Sequence, residues 1–440
     1  MESHLFDYPS YLKTIEISGP ITTGNLQLII SPCVNLEKFS IVRRANYPWV
    51  LNLRDTPALA DLKKLKYLLL NCEESKGCRL DFVTLPLMDC YFPVLTNFEI
   101  VKGFHMRQYS SYVGSVLKFI GRHHQSLSVL GLCMLPRRNL CFFPPDNSDV
   151  ELNDQPAVQS RQHQINHRLD RHEISLDDFC KVNVKRLSIT TQGYKEDIKI
   201  WTMFLQNQSR LEDFRFDWSR MDFSESPARS GFPWILFEAP IMNSCDTLVS
   251  VELNNIAVFI EDSSGSKQFM PLSLSLFSSC RRLEHLTLIN YEACSEEQES
   301  STGNSGENSQ GLLINGMDLP TSLLVLRIEG LQTKTQVIEA ILEKCWQLES
   351  VTFKGLGKDQ DFGISAQVVR NMVKLFYLKN LQINNFNAST PEKEQALQEV
   401  FHRLEIPYEG ANAWLRLWNG HAMARDVLKR IHSTDSSSSK

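Results

Sequence analysis

The sequence predicts an α/β solenoid of about twelve irregular repeats, with a parallel sheet on a concave side and helices on a convex side. Three observations predict it: a recurring apolar triple, cysteines that keep register with the triple, and helical rhythms in the intervals. The chain has 440 residues, of which 42% are hydrophobic and 22% charged. This composition supports a large core and excludes a mostly disordered protein.

The first observation is a triple composed of Leu or Val, two residues, an apolar residue, one residue and a second apolar residue. Alternate residues of a strand share a face, so the last two members indicate a strand with one buried face. Most successive triples start roughly 24 to 40 residues apart, which favours a strand-plus-helix repeat over the three or so domains that length alone suggests. The triples start at Leu12, Leu36, Leu65, Leu95, Leu127, Val184, Leu211, Leu248, Leu283, Leu323, Leu348 and Leu378.

The second observation concerns the 11 cysteines. Cys33, Cys245, Cys280 and Cys345 each stand three residues before a triple, where random placement would put only about 0.3 cysteines. A small apolar side chain suits the place where a buried helix end meets the next strand. Metal ligation would need thiolates at short spacing such as C-x-x-C, which the sequence lacks. We therefore predict reduced cysteines packed in the core.

The third observation is a helical rhythm before several triples, with apolar residues at i, i+3 and i+4. It precedes Leu211, Leu348 and Leu378, and Ser365 or Thr335 could cap such helices. Helix, loop and strand repeated in this way indicate a leucine-rich-repeat solenoid. One repeat cannot bury its apolar face alone, so neighbouring repeats stack and share a continuous core.

The composition also predicts the domain boundaries. The solenoid should span residues 1–387, with polar insertions at about 144–170 and 294–311. Residues 388–433 should form a helical C-terminal cap, and the Ser-rich residues 434–440 a disordered tail. In the predicted cap, Thr390 precedes Pro391 as an N-cap precedes Pro at the first helical position.

Aromatic residues in the predicted cap allow two interpretations. Trp414, Leu415 and Trp418 lie in an apolar segment that is expected to be helical and to cover the last repeat's open core. The alternative is an exposed binding box formed by the two tryptophans, which are four residues apart.

The spacing of Cys, Leu and the two apolar positions resembles the cysteine-containing leucine-rich repeats of F-box/LRR proteins. The segments that resemble it most are 280–288, which reads CRRLEHLTL, and 345–353, which reads CWQLESVTF. The resemblance covers residues 10 to 386. It implies capture of a protein substrate by the solenoid, while an N-terminal F-box binds the Skp-type adaptor of a cullin ubiquitin ligase.

This chain departs from that pattern at its N-terminus. The first triple begins at Leu12, which leaves no room for an F-box. We therefore expect Skp-type adaptor and cullin partners only if an F-box lies upstream, and we expect the chain to be an isoform, a fragment or a gene model without that segment. The alternative function is a leucine-rich-repeat scaffold or sensor unrelated to ubiquitination.

No pattern in the sequence predicts an enzyme, a cofactor or a metal site. Gly355-Leu356-Gly357 follows a predicted strand, but the third glycine of a dinucleotide loop is absent. His163, His167 and His172 lie in a polar insertion without the spacing of metal ligands. An enzyme hidden in the insertions remains the alternative from a different class.

Charge and hydropathy bear on partners and location. Lys and Arg number 46 against 51 Asp and Glu, a formal charge of −5, so no general basicity indicates nucleic acid or an anionic membrane. No apolar run approaches the ~20 residues of a spanning helix, and the chain opens without a secretory signal pattern. We expect a cytoplasmic or nuclear protein.

The concave face is the predicted binding surface, because residues that flank the inward apolar positions point to it. Its charges have mixed sign, which does not favour a phosphate backbone. Side chains of the types that dominate protein interfaces, or that lie beside them, make up the candidate protein-binding set. These residues are Tyr67, Leu69, Arg186, Asp213, Arg215, His285 and Arg327.

Overall fold

A computed structural model describes about half of the chain in two compact units. The first unit comprises residues 1–208 and 219–222, and the second comprises residues 209–218 and 223–440. The residues described are 9–18, 23–43, 57–72, 90–101, 109–134, 176–191, 195–218, 232–233, 237–257, 259–261, 267–269, 272–289, 314–315, 319–331, 333–354, 365–375, 377–383, 391, 395, 398–399, 402 and 415–418.

The first unit contains six parallel strands that pair in chain order. The strands are β1 (Thr14–Ile17), β2 (Lys38–Arg43), β3 (Tyr67–Cys72), β4 (Asn97–Val101), β5 (Val129–Met134) and β6 (Arg186–Thr191). The α-helices described between or after them are α1 (Thr23–Ile30), α2 (Tyr109–Arg122), α3 (Leu176–Cys180) and α4 (Lys195–Gln206), and 3-10 turns occupy Pro9–Tyr11 and Pro57–Asp61.

The second unit contains a sheet and several short additional strands. Its sheet has the order β7-β9-β14-β16-β17-β18-β19, and only the last pair is antiparallel. The elements are β7 (Asp213–Trp218), β8 (Phe232–Pro233), α5 (Glu238–Asn243), β9 (Ser250–Asn254), β10 (Ile256–Ala257), β11 (Phe259–Glu261), β12 (Lys267–Phe269), β13 (Leu272–Ser273), a 3-10 turn (Leu274–Phe277), β14 (His285–Ile289), β15 (Ile314–Asn315), β16 (Val325–Glu329), α6 (Thr335–Lys344), β17 (Ser350–Lys354), α7 (Ala366–Val373), β18 (Asn380–Ile383) and β19 (Leu415–Trp418).

Every predicted triple lies where a parallel strand forms. Each of these strands begins two residues after the first member of its triple, and equivalent members face each other across the ladders. In the first unit the second members form one buried row, Phe39, Leu68, Phe98, Leu130 and Leu187. In the second unit the corresponding row is Phe214, Val251, Leu286, Leu326 and Val351. The predicted leucine-rich-repeat solenoid is therefore confirmed.

A backbone joint recurs where the chain enters most of the parallel strands. One carbonyl, that of the residue after the first Leu, accepts two N–H groups from the next repeat. The Lys13 carbonyl accepts from Glu37 and Lys38, and the Leu324 carbonyl accepts from Glu349 and Ser350, all at 2.8–3.0 Å. The joint uses no side chain, so it recurs although the repeats differ in sequence.

Polar side chains make further links between neighbouring repeats in both units. His123 Nε2 accepts the Phe92 N–H at 2.9 Å, while its Nδ1 lies 2.7 Å from the Phe119 carbonyl. Gln208 accepts the Val184 N–H at 3.1 Å and donates to the Val182 carbonyl at 2.8 Å. Such bonds satisfy backbone groups that burial would otherwise leave without partners.

In the second unit, hydroxyl groups make such links between neighbouring repeats. Ser244 Oγ accepts the Leu211 N–H at 3.1 Å, and Thr247 Oγ1 donates to the Leu211 carbonyl at 2.8 Å. Ser322 Oγ donates to the Leu283 carbonyl at 2.8 Å. Shorter side chains thus make the same kind of connection between neighbouring repeats.

The cysteines that keep register with the repeat pack as core residues, with one exception. Cys33, Cys280 and Cys345 are fully buried, whereas Cys245 is half-buried. Burial raises the pKa of the Cys280 and Cys345 thiols to about 12. The thiol form therefore predominates at neutral pH.

Of the two predicted helix caps, one forms. Ser365 is the N-cap of α7, and its Oγ accepts the Val368 N–H at 3.0 Å. The prediction for Thr335 is wrong, because the N-cap of α6 is Lys334, whose side chain makes no capping hydrogen bond. Thr335 is already helical and the chain enters extended at Lys334, so the Thr335 hydroxyl comes one position too late to act as the cap.

The C-terminal segment differs in part from the predicted helical cap. Helical backbone occurs at Pro391, Gln395, Gln398, Glu399 and His402. Leu415–Trp418, however, form strand β19, which pairs antiparallel with β18, so the helix predicted there is wrong. An edge strand offers unpaired backbone groups, and pairing with β19 satisfies them along β18.

Several predicted segments lie outside the described residues. These are the insertions at 144–170 and 294–311 and the tail at 434–440. The predicted boundaries of the solenoid and cap remain predictions.

Candidate functional site

The side of each sheet opposite its buried rows is called the outward face here, and the seven candidate residues lie on it. In the first unit, Tyr67 and Leu69 are two residues apart on β3 and both are half-exposed. Arg186 is exposed on β6 in the same row as Tyr67, since the ladders align Tyr67 with Asn97, Asn97 with Val129 and Val129 with Arg186. About 14 Å of sheet separates Tyr67 from Arg186.

Tyr67 is the most constrained of the candidates in the first unit. The Lys38 Nζ lies 4.7 Å from the centre of its ring, within range of a cation–π contact. Burial, and then the charge of Glu99 and a hydrogen bond to it, raise the pKa of the Tyr67 phenol to about 12. The phenol therefore stays protonated and donates to the Glu99 carboxylate.

Gly131 makes room for that carboxylate. A Cβ at this position would lie 3.2 Å from Cγ of Glu99 on the neighbouring strand, closer than ordinary van der Waals contact. The glycine thus allows Glu99 to extend over β5. The strand alternation predicted Gly131 on this face, but the sequence did not indicate its contact with Glu99.

In the second unit, the structure brings two candidates into contact and keeps two apart. Arg215 Nε lies 3.4 Å from Asp213 Oδ1 and 3.9 Å from Glu252 Oε2 on the next strand. His285 is exposed on β14, in the row of Asp213. Arg327 lies on β16, three strands from β7.

Arg327 belongs to a charge cluster that the sequence did not predict. Its Nε and the Lys354 Nζ both lie 2.9 Å from Oε1 of Glu329. Only 7% of the Glu329 side chain is exposed. Burial raises the pKa of this carboxyl, but the two cations outweigh burial and hold the pKa below its ordinary value. The carboxylate therefore stays ionised and fixes both cations.

A second unpredicted cluster lies at the end of β7. Burial raises the pKa of Asp217, although Asn255 Nδ2 donates to its Oδ1 at 3.1 Å. Asn254 Nδ2 donates to Glu252 Oε1 at 3.1 Å. Asn255 has a φ of 55° and, like Gly330 with a φ of 65°, follows the end of its strand, where a left-handed residue turns the chain out of the sheet.

These residues were missed because only the two outward positions nearest the triple were considered. Asp217, Asn254, Glu329 and Lys354 occupy the next outward position along their strands, aligned through Ile289 of β14. One further step of the strand alternation would have found them. Their pairing depends on which strands are neighbours, which the sequence alone does not show.

Across the residues that the structure describes, no group of three or more His, Cys, Asp or Glu side chains is arranged to hold a metal ion. The histidines at 163, 167 and 172 and the glycine segment at 355–357 lie outside those residues. Within the described part of the chain, no helix is both long and apolar enough to span a bilayer.

Comparison with known proteins gives limited information. No family model matches the sequence, and no curated protein sequence matches it. An internalin from Listeria monocytogenes has a similar structure, with 12% identity and a TM-score of 0.36 over 86% of this chain and 82% of that chain. A leucine-rich-repeat protein from Leptospira interrogans has 11% identity and a TM-score of 0.36 over 90% of both chains. At this similarity neither protein informs function, and the fold assignment depends on the strand register described above.

Proposed function

We propose that the outward faces of the two units bind another protein. The observation that carries this proposal is that charged and aromatic side chains on these faces are held in fixed pairs. Tyr67 is held by Glu99, Arg215 by Asp213 and Arg327 by Glu329. Side chains ordered in advance lose less entropy on association, and Tyr and Arg are frequent interface hot spots.

Affinity capture with face variants tests this proposal. We expect the double variant Arg215→Ala, Arg327→Ala to retain at least tenfold less of each specific partner than the parent chain, since hot-spot truncations cost at least 2 kcal/mol or so. Lys379→Ala is the control, because Lys379 lies at the strand entry and pairs with Glu349 there. Unchanged capture by the double variant, with folding verified by circular dichroism, would contradict the proposal.

The finer function we propose is substrate recognition for a Skp–cullin ubiquitin ligase. It is supported by the register of Cys280 and Cys345 with the repeats, which resembles F-box/LRR proteins. The chain would select the substrate, and partner subunits would carry out the chemistry. Skp and cullin binding would require an F-box upstream of the first repeat. This role would place the protein in the cytoplasm or the nucleus.

Mass spectrometry of proteins captured with the longest available product tests this role. Skp-type and cullin subunits are the expected result, and their absence from that product would reject the ligase function. The alternative is an interaction scaffold or sensor without a link to ubiquitin. Transcript sequencing upstream of Met1 separates the two, because one predicts an F-box there and the other a nucleotide-binding domain.

A further inference from the structure

Charges on the outward face of the second unit are sorted by strand. Strands β7 and β9 carry three carboxylates, Asp213, Asp217 and Glu252, against one guanidinium, Arg215. Their formal sum is 1 − 3 = −2. Burial is the main cause of the raised pKa of Asp217, and the charge of Glu252 on the neighbouring strand raises this pKa further.

Strands β16 and β17 carry the opposite sign. Arg327 and Lys354 share the single carboxylate of Glu329, so the formal sum is 2 − 1 = +1. Between the two regions β14 contributes His285, Thr287 and Ile289, none of which carries a formal charge when histidine is neutral. The outward face thus has an acidic side and a basic side.

The basic side is organised by a buried carboxylate, and the acidic side is accessible. Lys354 has 23% of its side chain exposed and Arg327 43%, and both contact the Glu329 carboxylate, of whose side chain only 7% is exposed. The Glu252 side chain is 36% exposed and that of Arg215 is 55% exposed. Fixed charges at the edge of a low-dielectric surface attract a complementary partner more strongly than mobile ones.

The first unit shows no such order. Its outward face carries Glu16, Lys38, Glu99 and Arg186 on β1, β2, β4 and β6. The signs alternate along the sheet instead of separating. Sorting is therefore a property of the second unit's strands and not of the repeat.

We infer that the outward face of the second unit binds an extended protein segment that crosses the strands, with a basic residue over β7 and β9 and an acidic residue over β16 and β17. This inference rests on the proposed function and specifies its partner. The centres of the two charged regions are three strand spacings apart, about 14 Å. An extended chain covers that distance in about four residues, and residues four apart point to the same side.

Two labelled peptides of one composition test the inference by fluorescence anisotropy at low ionic strength. The block peptide Lys-Lys-Ser-Ser-Glu-Glu separates its charges, and Lys-Glu-Ser-Ser-Lys-Glu mixes them. We expect the whole chain to bind the block peptide at least fivefold more tightly, and the preference to shrink at 0.5 M salt, where charges are screened within a few ångströms. Equal affinity for both peptides, or binding of neither, would overturn the inference.

Matched variants locate the effect. Glu252→Gln and Arg327→Gln should each remove most of the order preference. Their controls make the same charge changes at the strand entry, namely Glu349→Gln, with an exposure of 38% against 36% for Glu252, and Lys379→Gln. Equal losses in the controls would also reject the inference.

The outcome remains separable from the proposed function. If Arg215→Ala, Arg327→Ala abolishes partner capture while the peptides show no order preference, only this inference fails. If partner capture is insensitive to that double variant, the proposed function fails as well.

Discussion

Two regions of the molecule, the segment around α2 in the first unit and that around α6 in the second, build the same repeat with different interiors. In the first unit, Phe92 and Phe119 lie beside His123, and Phe98 packs against Phe119 with their ring centres 4.8 Å apart. In the second unit, the residues buried around α6 are mostly aliphatic, such as Ile338 and Ile341, together with the thiol of Cys345. The strand register is the same in both. The repeat thus fixes where an apolar residue is needed but leaves its shape open.

The side-chain links between repeats differ in the same way. The first unit uses an imidazole and an amide, each of which reaches backbone groups of the preceding repeat, together with the Thr96 hydroxyl, which donates to the Lys66 carbonyl. The second unit uses hydroxyl groups. A long side chain that satisfies several buried groups is costly to lose, whereas a hydroxyl serves one or two. We therefore expect the first unit to depend more strongly on individual residues.

The largest expected effect is loss of an aromatic side chain from the first unit. Phe119→Ala should lower the free energy of unfolding of this unit by about 3–5 kcal/mol, because Phe119 is fully buried and the cavity cannot close completely. Hydrogen exchange of residues 109–134 measures it. Met203→Ala, at a side chain that is 43% exposed, should change little. A loss below about 1 kcal/mol for Phe119→Ala would remove the contrast between the units.

The next effect tests the comparison of the side-chain links between repeats. Gln208→Leu should cost about 1–3 kcal/mol for each of the two backbone groups that it leaves unpaired, the Val184 N–H and the Val182 carbonyl. Ser244→Ala leaves only the Leu211 N–H unpaired and should cost less. Chemical denaturation followed by segment-resolved hydrogen exchange compares them. Equal costs would show that the amide link and the hydroxyl link contribute equally to stability.

A smaller effect concerns acid stability of the first unit. Burial lowers the pKa of His123, and the nearby charge of Arg122 lowers it further, while the Phe119 carbonyl opposes this. A lowered folded pKa means that the unfolded chain binds the proton first. Stability is therefore complete above the unfolded pKa of about 6.5 and decreases as the pH falls toward the folded pKa, by at most about 1.4 kcal/mol per pH unit.

Two variants identify His123 as the group responsible. His123→Gln keeps an acceptor and a donor but does not titrate, so the decrease in unfolding free energy between pH 6.5 and 5 should become shallower. His124→Gln, at the half-buried neighbour, is the control for loss of an imidazole from this segment. If both variants behave alike, the acid sensitivity arises elsewhere.

The smallest effect is expected at an exposed ion pair. Glu349→Gln in the second unit removes the contact with Lys379 Nζ at 2.8 Å and should change the unfolding free energy by less than about 1 kcal/mol, since both side chains are solvated. Thermal unfolding in low and high salt measures it. A larger loss would show that ion pairs at the strand entries contribute substantially to the stability of the second unit.

Sequence reasoning located the twelve strands that carry the triple, because burial of alternate residues imposes a period that a single repeat already shows. It did not predict the short parallel pairs of β8 with β10 and of β13 with β15. It missed β19 although Leu415-Arg416-Leu417 alternates in the same way, because Trp414 and Trp418 have helical spacing. Pairing with β18 is a tertiary contact, and such contacts override local rhythm.

For the candidate site, the sequence indicated which face to consider but not how its charges combine. The pairing of Glu329 with Lys354 depends on β16 lying beside β17 in a particular register. The predicted face included only the first two outward positions of each strand, and Glu329 and Lys354 occupy the third. The burial that makes Glu329 important is a property of the assembled sheet.

The carbonyl that accepts two N–H groups at most strand entries has an evolutionary consequence. Because the main chain alone makes these two bonds, surface substitutions can accumulate without weakening them. Selection on such a chain would act mainly on the core volume and the outward face. Common ancestry with other chains would then remain recognisable in the spacing of the leucines after residue identity has been lost.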